Sequence, residues 1–521
     1  MPRQPKKMAT ETPVEENMEA KASFHIIVLG PTGGPCEDRV TGILVRSTAT
    51  DWSPGSVVAV DAGTMLAGII RLSKKSLPAS LDDRTTSPGV LNNGPFKGLR
   101  TPDKTPEANA AHFFREIIGA LLITHPHLDH ISGLAINTPI IEAGHGPKPI
   151  AALPSVLSAI KNHVFNDVIW PNLSDEDGGA GLLTYNRLTE GGNPRLGIGD
   201  GRGYVRACQG IVTKCLSVSH GQCKQRYHPE TATHRRAAST VFHQAEARSA
   251  LSRARSVDRS EAAFYSPANS PHLHPGEPVS ATVESSAFFL RDHDSGNEII
   301  IFGDVEPDSV AFEPRNRRVW ETAAPKIAAG KLRAIFIECS YDDSVDDDFL
   351  YGHMCPRHLT AELSVLADKV MDHREAAPSD IASSTERKRK RLSGGSRGGT
   401  DSPAMSPRTY KRNQSVSGIR SLASRDPRSH PASIDYGFDG ADEYSTLGIF
   451  ADYEAPDPNR WADVDPLPLA GLAVYIIHIK ETLTDGPPPG VKIIEELREH
   501  GREANLGCRF LLPDPEAAIW V

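Results

Sequence analysis

Residues 121–133, LLITHPHLDHISG, constrain this chain more than any other stretch. His125, His127, Asp129 and His130 fall within six positions, behind an apolar run and ahead of a glycine. Imidazole and carboxylate are ligands that zinc and related divalent metals accept. Side chains of an extended chain alternate, so His125 and His127 share one side. A helix is expected to start near Ile131, which places the motif in a tight loop between strand and helix. Such a loop can aim several side chains at one point. Solvated polar residues at a strand end would account for one histidine, not for four metal-capable groups this close together.

A metal site needs further ligands, and the ends of other strands are where they should lie. CLSVSHG ends in His220, EIIIFGDVEPD carries Asp304, and LAVYIIHIKE carries His478. Taken singly, Asp304 could cap a turn and His478 could be a satisfied core histidine. Their joint order behind the first motif favours a shared site.

The rest of the chain reads as α/β. FHIIVLG, VTGILVRS and SVVAVDAGT are strand-like runs bounded by glycines, the last with Asp61 and Gly63 at its end. IVTKCLSVSHG, SSAFFLRD, NEIIIFGD, LRAIFIECS and LAVYIIHIK follow, and RDHDSGNE reads as a hairpin loop. Helices are expected near 151–165 and 357–371. Residues 72–109 read as a loop insertion. Residues 226–280 and 374–465 have too little apolar periodicity to build a core. Strand-like sequence resumes after each, so they read as excursions from one domain.

Composition narrows the function classes. The 521 residues carry a net charge of −9, which argues against a generally nucleic-acid-binding surface. No apolar run is long enough to cross a bilayer. The polar first 22 residues read as a disordered tail without a secretory core. Seven cysteines without a CxxC pair fit a reducing compartment, so a cytoplasmic protein is expected.

The order H-x-H-x-D-H, then His, Asp and His, resembles the metallo-β-lactamase fold superfamily. Within it, several stretches resemble the class II cyclic-nucleotide phosphodiesterases: VLGPTGGP, HLDH with Leu128, VFNDVIWPN, FGDVEPD, YGHMCPRHL and IHIKE. The chain departs from the family pattern at Ala135 and at Thr138. The resemblance implies a four-layer αββα sandwich with the site at one edge of its sheets. It implies two divalent ions, zinc first, with manganese or iron as alternatives. His125, His127 and His220 would hold one, Asp129, His130 and His478 the other, and Asp304 would bridge both. The implied reaction is hydrolysis of a 3′,5′-cyclic nucleotide, cyclic AMP before cyclic GMP, by a metal-bridged hydroxide. Asp129 is a candidate to orient the nucleophile or take its proton. His353, with His358 second, is the candidate proton donor and phosphate contact, and Asn166 and Trp170 are candidates for the nucleotide pocket. The catalytic domain would comprise 23–373 and 466–521, interrupted by 374–465.

Several motifs stand outside that assignment. GPTGGP lacks the Lys-Ser/Thr ending of a phosphate loop and reads as a tight turn approaching the site. The basic run at 386–391 reads as a solvated segment, with nuclear entry through 387–391 as the sharper reading. KRLS, ending at Ser393, resembles a site for a basophilic kinase. HLHP at 272–275 reads as incidental. A homodimer is left open. The competing functions are an RNA-processing nuclease of the same fold and a non-catalytic scaffold that retains it; the scaffold is disfavoured because all seven ligands are present.

Overall fold

The structure is a computed structural model that describes residues 21–76, 89–142, 144, 146–228, 233–236, 279–376 and 467–521. In chain order the first half comprises β1 (Phe24–Gly30), β2 (Gly42–Ser47), β3 (Val57–Val60), α1 (Leu66–Ser76), β4 (Gly89–Val90), β5 (Arg100–Thr101), α2 (Pro106–His112), β6 (Ile118–Leu122), α3 (Leu128–Ile136), β7 (Lys148–Ala152), α4 (Pro154–His163) and β8 (Leu183–Arg187). The second half comprises β9 (Val205–Cys208), β10 (Ile211–His228), β11 (Thr233–Arg236), β12 (Val279–Asp292), β13 (Glu298–Phe302), α5 (Asn316–Ala328), β14 (Leu332–Glu338), α6 (Pro356–Ala376), β15 (Ala473–Ile477), α7 (Pro489–Glu503), β16 (Arg509–Leu511) and β17 (Ile519–Trp520).

Two large sheets result. One runs β17-β1-β2-β3-β6-β7-β8, the other β11-β10-β12-β13-β14-β15-β16 with β9 beside β10. The period-2 alternation of the second sheet explains the layering. Ile299, Ile301, Ala334, Phe336, Ala473 and Ile477 join the first sheet's residues in one buried cluster. The intervening Ile300, Phe302, Ile335, Ile337, Val474 and Ile476 pack with Val319 and Trp320 of α5, Leu359 and Leu363 of α6, and Ile493 and Leu497 of α7. Strands buried on both faces read as continuous apolar runs, which is why LRAIFIE and NEIIIF look as they do. The αββα sandwich expected from the sequence is the architecture observed.

The strand runs named above and the helices near 154–163 and 356–376 form as expected. The 72–109 stretch needs correction. Residues 72–76 end helix α1, 106–109 begin α2, and Leu91, Phe96 and Leu99 are buried between them. Three spaced apolar side chains anchor a segment whose Ser, Pro and Gly content looked like free loop. β10 and α6 likewise extend past the expected insertion edges, to His228 and Ala376. The 1–20 tail, HLHP, the basic run and Ser393 lie outside the described residues. Among the described residues, no helix is long and apolar enough to cross a membrane.

Candidate metal centre

The first motif sits where β6 gives way to α3. Helix α3 starts at Leu128, three residues earlier than expected, with His127 as its N-cap. Asp129 and His130 therefore project from the first helical turn, while His125 and His127 precede it. Gly133 lies inside that helix and lets it press on the sheet: a Cβ there would meet the Ala62 and Gly63 carbonyls at 2.8 Å.

The other candidate ligands arrive from the second sheet. Asp304 follows β13, and His478 follows β15 in the left-handed region with φ 58°. His220 corrects the expectation of a strand end. β10 continues to His228, and His220 sits at a register shift between Ser219 and Gln222. A bulge re-aims a side chain without ending the strand.

All seven converge. One ligand atom each from His125, His127, His220 and Asp304 lie within 4.8 Å of one another. The same holds for Asp129, His130, Asp304 and His478, so Asp304 belongs to both groups. A third group joins His220 and Asp304 to His353 and Glu338. His358 stays outside: its Nδ1 is 3.3 Å from Cys355 Sγ and its Nε2 3.3 Å from Asp347. Asn166 spends its amide locally, on Asn162, Val168 and Ile169. Trp170 packs on the interior and donates Nε1–H to Thr138 Oγ1 at 3.0 Å. Neither shares a hydrogen bond with the cluster.

Outer partners hold the imidazoles so that lone pairs point inward. His130 donates Nδ1–H to Asp61 at 2.7 Å, and His220 donates Nδ1–H to the Gly352 carbonyl at 2.8 Å. His478 Nδ1 lies 2.9 Å from Thr41 Oγ1, and His125 Nδ1 3.1 Å from Thr124 Oγ1. A neutral ring that donates Nδ1–H this way presents Nε2 as an acceptor or ligand. His353 shares its Nδ1 with Glu338, 2.9 Å from Oε1. Asp61, Thr41, Glu338 and Lys480 were not singled out as site residues from sequence. Asp61 and Glu338 did carry a signal, since each is the lone acid closing an apolar strand.

The electrostatics suit cation binding. Burial holds His125 well below its ordinary value, and it depresses His127 and His478 and brings His220 down to about 4. Neutral imidazoles are the ligand form. Burial alone would raise Asp304, but His478, His130 and His125 hold it well below the usual carboxylate range. His130 is the exception: against its burial, Asp304 and Asp61 hold it well above the ordinary value. Burial and the neighbouring Asp304 raise Glu338 to about 7, and burial lowers His353 to about 4. No hydrogen bond reaches the buried His125 Nε2, and His130 Nε2 and Asp304 Oδ1 have only each other, 3.1 Å apart. Buried polar atoms seldom go unsatisfied, and a borderline cation would satisfy all three. The donor set fits divalent ions.

An αββα sandwich with a His/Asp cluster at one edge of its two sheets is the metallo-β-lactamase fold. Residues 69–379, more than half of the chain, match the family of class-II cAMP phosphodiesterases, and the chain belongs to that family. It is 28% identical over 351 residues to a 3′,5′-cyclic-nucleotide phosphodiesterase of Schizosaccharomyces pombe, covering 67% of this chain and 77% of the relative. It is 26% identical over 346 residues to the enzyme of that name from Aliivibrio fischeri, covering 66% and 76%. The crystal structure of unliganded yeast PDE1 superposes with a TM-score of 0.55 at 20% identity, covering 96% of this chain and all of that one, and supports the fold.

Proposed function

We propose that this phosphodiesterase hydrolyses the 3′ ester bond of cyclic AMP, giving 5′-AMP, at a site holding two divalent ions, zinc before manganese or iron. The observation that carries the reading is the convergence of seven ligands into two groups that share Asp304. His125, His127 and His220 would hold one ion, Asp129, His130 and His478 the other, and Asp304 both. When bound, two such ions stabilise charge on phosphoryl oxygens and bring the pKa of an attacking water from about 16 towards 7.

The chain's own residues have separable tasks. Asp129 is a quarter exposed at the open side of the cluster, suited to orient the attacking water. Water adds to phosphorus and releases a proton towards Asp129 or solvent, the P–O3′ bond breaks, and O3′ gains a proton. The Glu338–His353 pair is suited to deliver it: Glu338 Oε1 lies 2.9 Å from His353 Nδ1, and both side chains are buried beside Asp304. The catalytic domain would be built from 23–373 and 466–521. A reducing, cytoplasmic setting is supported by seven free thiols.

The test is product identification. Purified protein is incubated with zinc or manganese and, separately, cyclic AMP, cyclic GMP and a small RNA. Release of 5′-AMP faster than 5′-GMP is expected. Cleaved RNA without either monophosphate would replace this reading with a nuclease.

A further inference from the structure

The GPTGGP turn, left without a chemical task above, is zipped to the segment that follows β15. His478 N–H donates to Pro31 O at 2.7 Å, Gly33 N–H to Ile479 O at 3.1 Å, and Glu481 N–H to Gly34 O at 3.1 Å. Lys480 N–H donates across to Ser340 O at 3.1 Å. Four backbone hydrogen bonds thus hold residues 478–481 between a tight turn and the end of β14. Lys480 then turns its side chain back over the turn, where Nζ donates to Gly33 O at 3.0 Å. Gly33 is required by the closeness of the approach: a Cβ there would meet Lys480 Nζ and His478 Nε2, each at 2.6 Å.

This arrangement puts an ammonium at the open side of the cluster. Lys480 Nζ is 3.1 Å from His478 Nε2 and 3.6 Å from Asp129 Oδ2, and its side chain is 26% exposed. Asp129 is 25% exposed and His127 is exposed, whereas His125, His130, Asp304 and His478 are buried. An incoming ligand therefore meets His127, Asp129 and Lys480 first. Among the described residues, Lys480 is the one Lys or Arg paired with a cluster residue. Asp129 and Asp304 belong to the cluster itself, and Asp61 and Glu338 brace its histidines, so the site carries four carboxylates. A phosphodiester is an anion, and Asp129 at the entrance would repel it. An ammonium has three donors. One is spent on Gly33 O, and the one facing His478 Nε2 is released whenever that lone pair serves as a ligand.

We infer that Lys480 is a substrate-binding residue that receives a phosphoryl oxygen of the nucleotide and offsets Asp129 at the entrance. The inference rests on the phosphodiesterase reading for its substrate, but its chemistry needs only a nucleotide phosphate. Backbone bonding at 478–481 fixes the root of the side chain and the bond to Gly33 O holds its ammonium, which lowers the ordering cost of binding.

Lys480→Met and Lys480→Gln remove the charge; Lys480→Arg keeps it. Ion content is read by elemental analysis, 5′-AMP binding by calorimetry, and KM and kcat with cyclic AMP. With ions retained, the two neutral variants are expected to bind 5′-AMP about tenfold or more weakly and to raise KM similarly. Lys480→Arg should stay within a few-fold of the parent. Unchanged 5′-AMP affinity in both neutral variants overturns the inference. So does a loss of affinity that excess metal fully restores, since Lys480 would then serve only to support Asp129 and His478. A parent protein that binds 5′-AMP through Lys480 yet leaves cyclic AMP intact would sink the proposed reaction and leave the phosphate contact standing.

Discussion

Two buried carboxylates, Asp61 in the first half of the chain and Glu338 in the second, brace histidines of the site by different chain paths. Asp61 sits just past β3 at φ 58° and takes the Thr124 N–H, the Thr124 hydroxyl and His130 Nδ1–H at 2.8, 2.8 and 2.7 Å. All its partners lie within seven residues of one another. Glu338 ends β14 and takes Val305 N–H at 2.7 Å, the Ser340 hydroxyl at 2.6 Å and His353 Nδ1 at 2.9 Å. Those partners come from three separate segments. The first brace tightens one loop. The second ties together chain ends that meet only once the sheet has formed. Burial and the neighbouring Asp304 raise Glu338 to about 7. In the proposed reaction Asp61 would serve ion binding through His130, and Glu338 would serve proton transfer through His353.

Asp304 joins the halves, so its loss should have the largest effect. Asp304→Ala is expected to empty the site and lower turnover more than about 100-fold, beyond the usual cost of changing an outer partner. Ion content and kcat measured together check this; full ion occupancy with retained turnover would remove Asp304 from the centre. Next come the braces themselves. Asp61→Ala should weaken ion binding about 10- to 100-fold, with activity restored by excess metal. Glu338→Gln should keep its ions and lose about tenfold or more in kcat, unrescued by metal. If the two variants behave alike, the division of labour between the braces is wrong.

A smaller effect separates the sheets by pH. His25 on β1 is buried against Trp520 and accepts from Arg46 Nε at 2.9 Å. Burial first, then Arg46, brings it down to about 3. Between about pH 3 and 6.5 the unfolded chain holds a proton there that the folded chain lacks. Stability therefore rises with pH across that window, is fully present above 6.5, and is lost as pH falls through it. The slope approaches one proton, about 1.4 kcal/mol per pH unit. Thermal melts from pH 4.5 to 7 should show a shallower dependence in His25→Gln; identical slopes would argue that His25 titrates normally. The smallest expected effect is at Trp170. Trp170→Phe removes the bond to Thr138 and should cost about 1 kcal/mol of stability while leaving KM alone. A raised KM would place Trp170 in the nucleotide pocket.

The first half of the site was legible because its chemistry is contiguous. H-x-H-x-D-H concentrates four side chains in one loop, and local geometry alone brings them near each other. The apolar runs also announced most strands, since strands buried on both faces leave no polar interruption. His220 was found for an incomplete reason: CLSVSHG looked like a strand end, yet the chain continues through a bulge. The 72–109 stretch misled because three apolar anchors at Leu91, Phe96 and Leu99 leave no periodic pattern.

What the sequence determined by itself was the ligand inventory, the alternation of buried strands and the family those motifs resemble. Each depends on residues close together in the chain, or on order alone. Tertiary structure decided that Asp304 reaches both ligand groups, that Asp61 and Glu338 brace His130 and His353, and that Lys480 rests on Gly33 at the open side. Those contacts span from 15 to 447 residues of chain. The Asp304 and Lys480 contacts arise only when the two sheets pack face to face and bring their loop edges together, a geometry that no local pattern encodes.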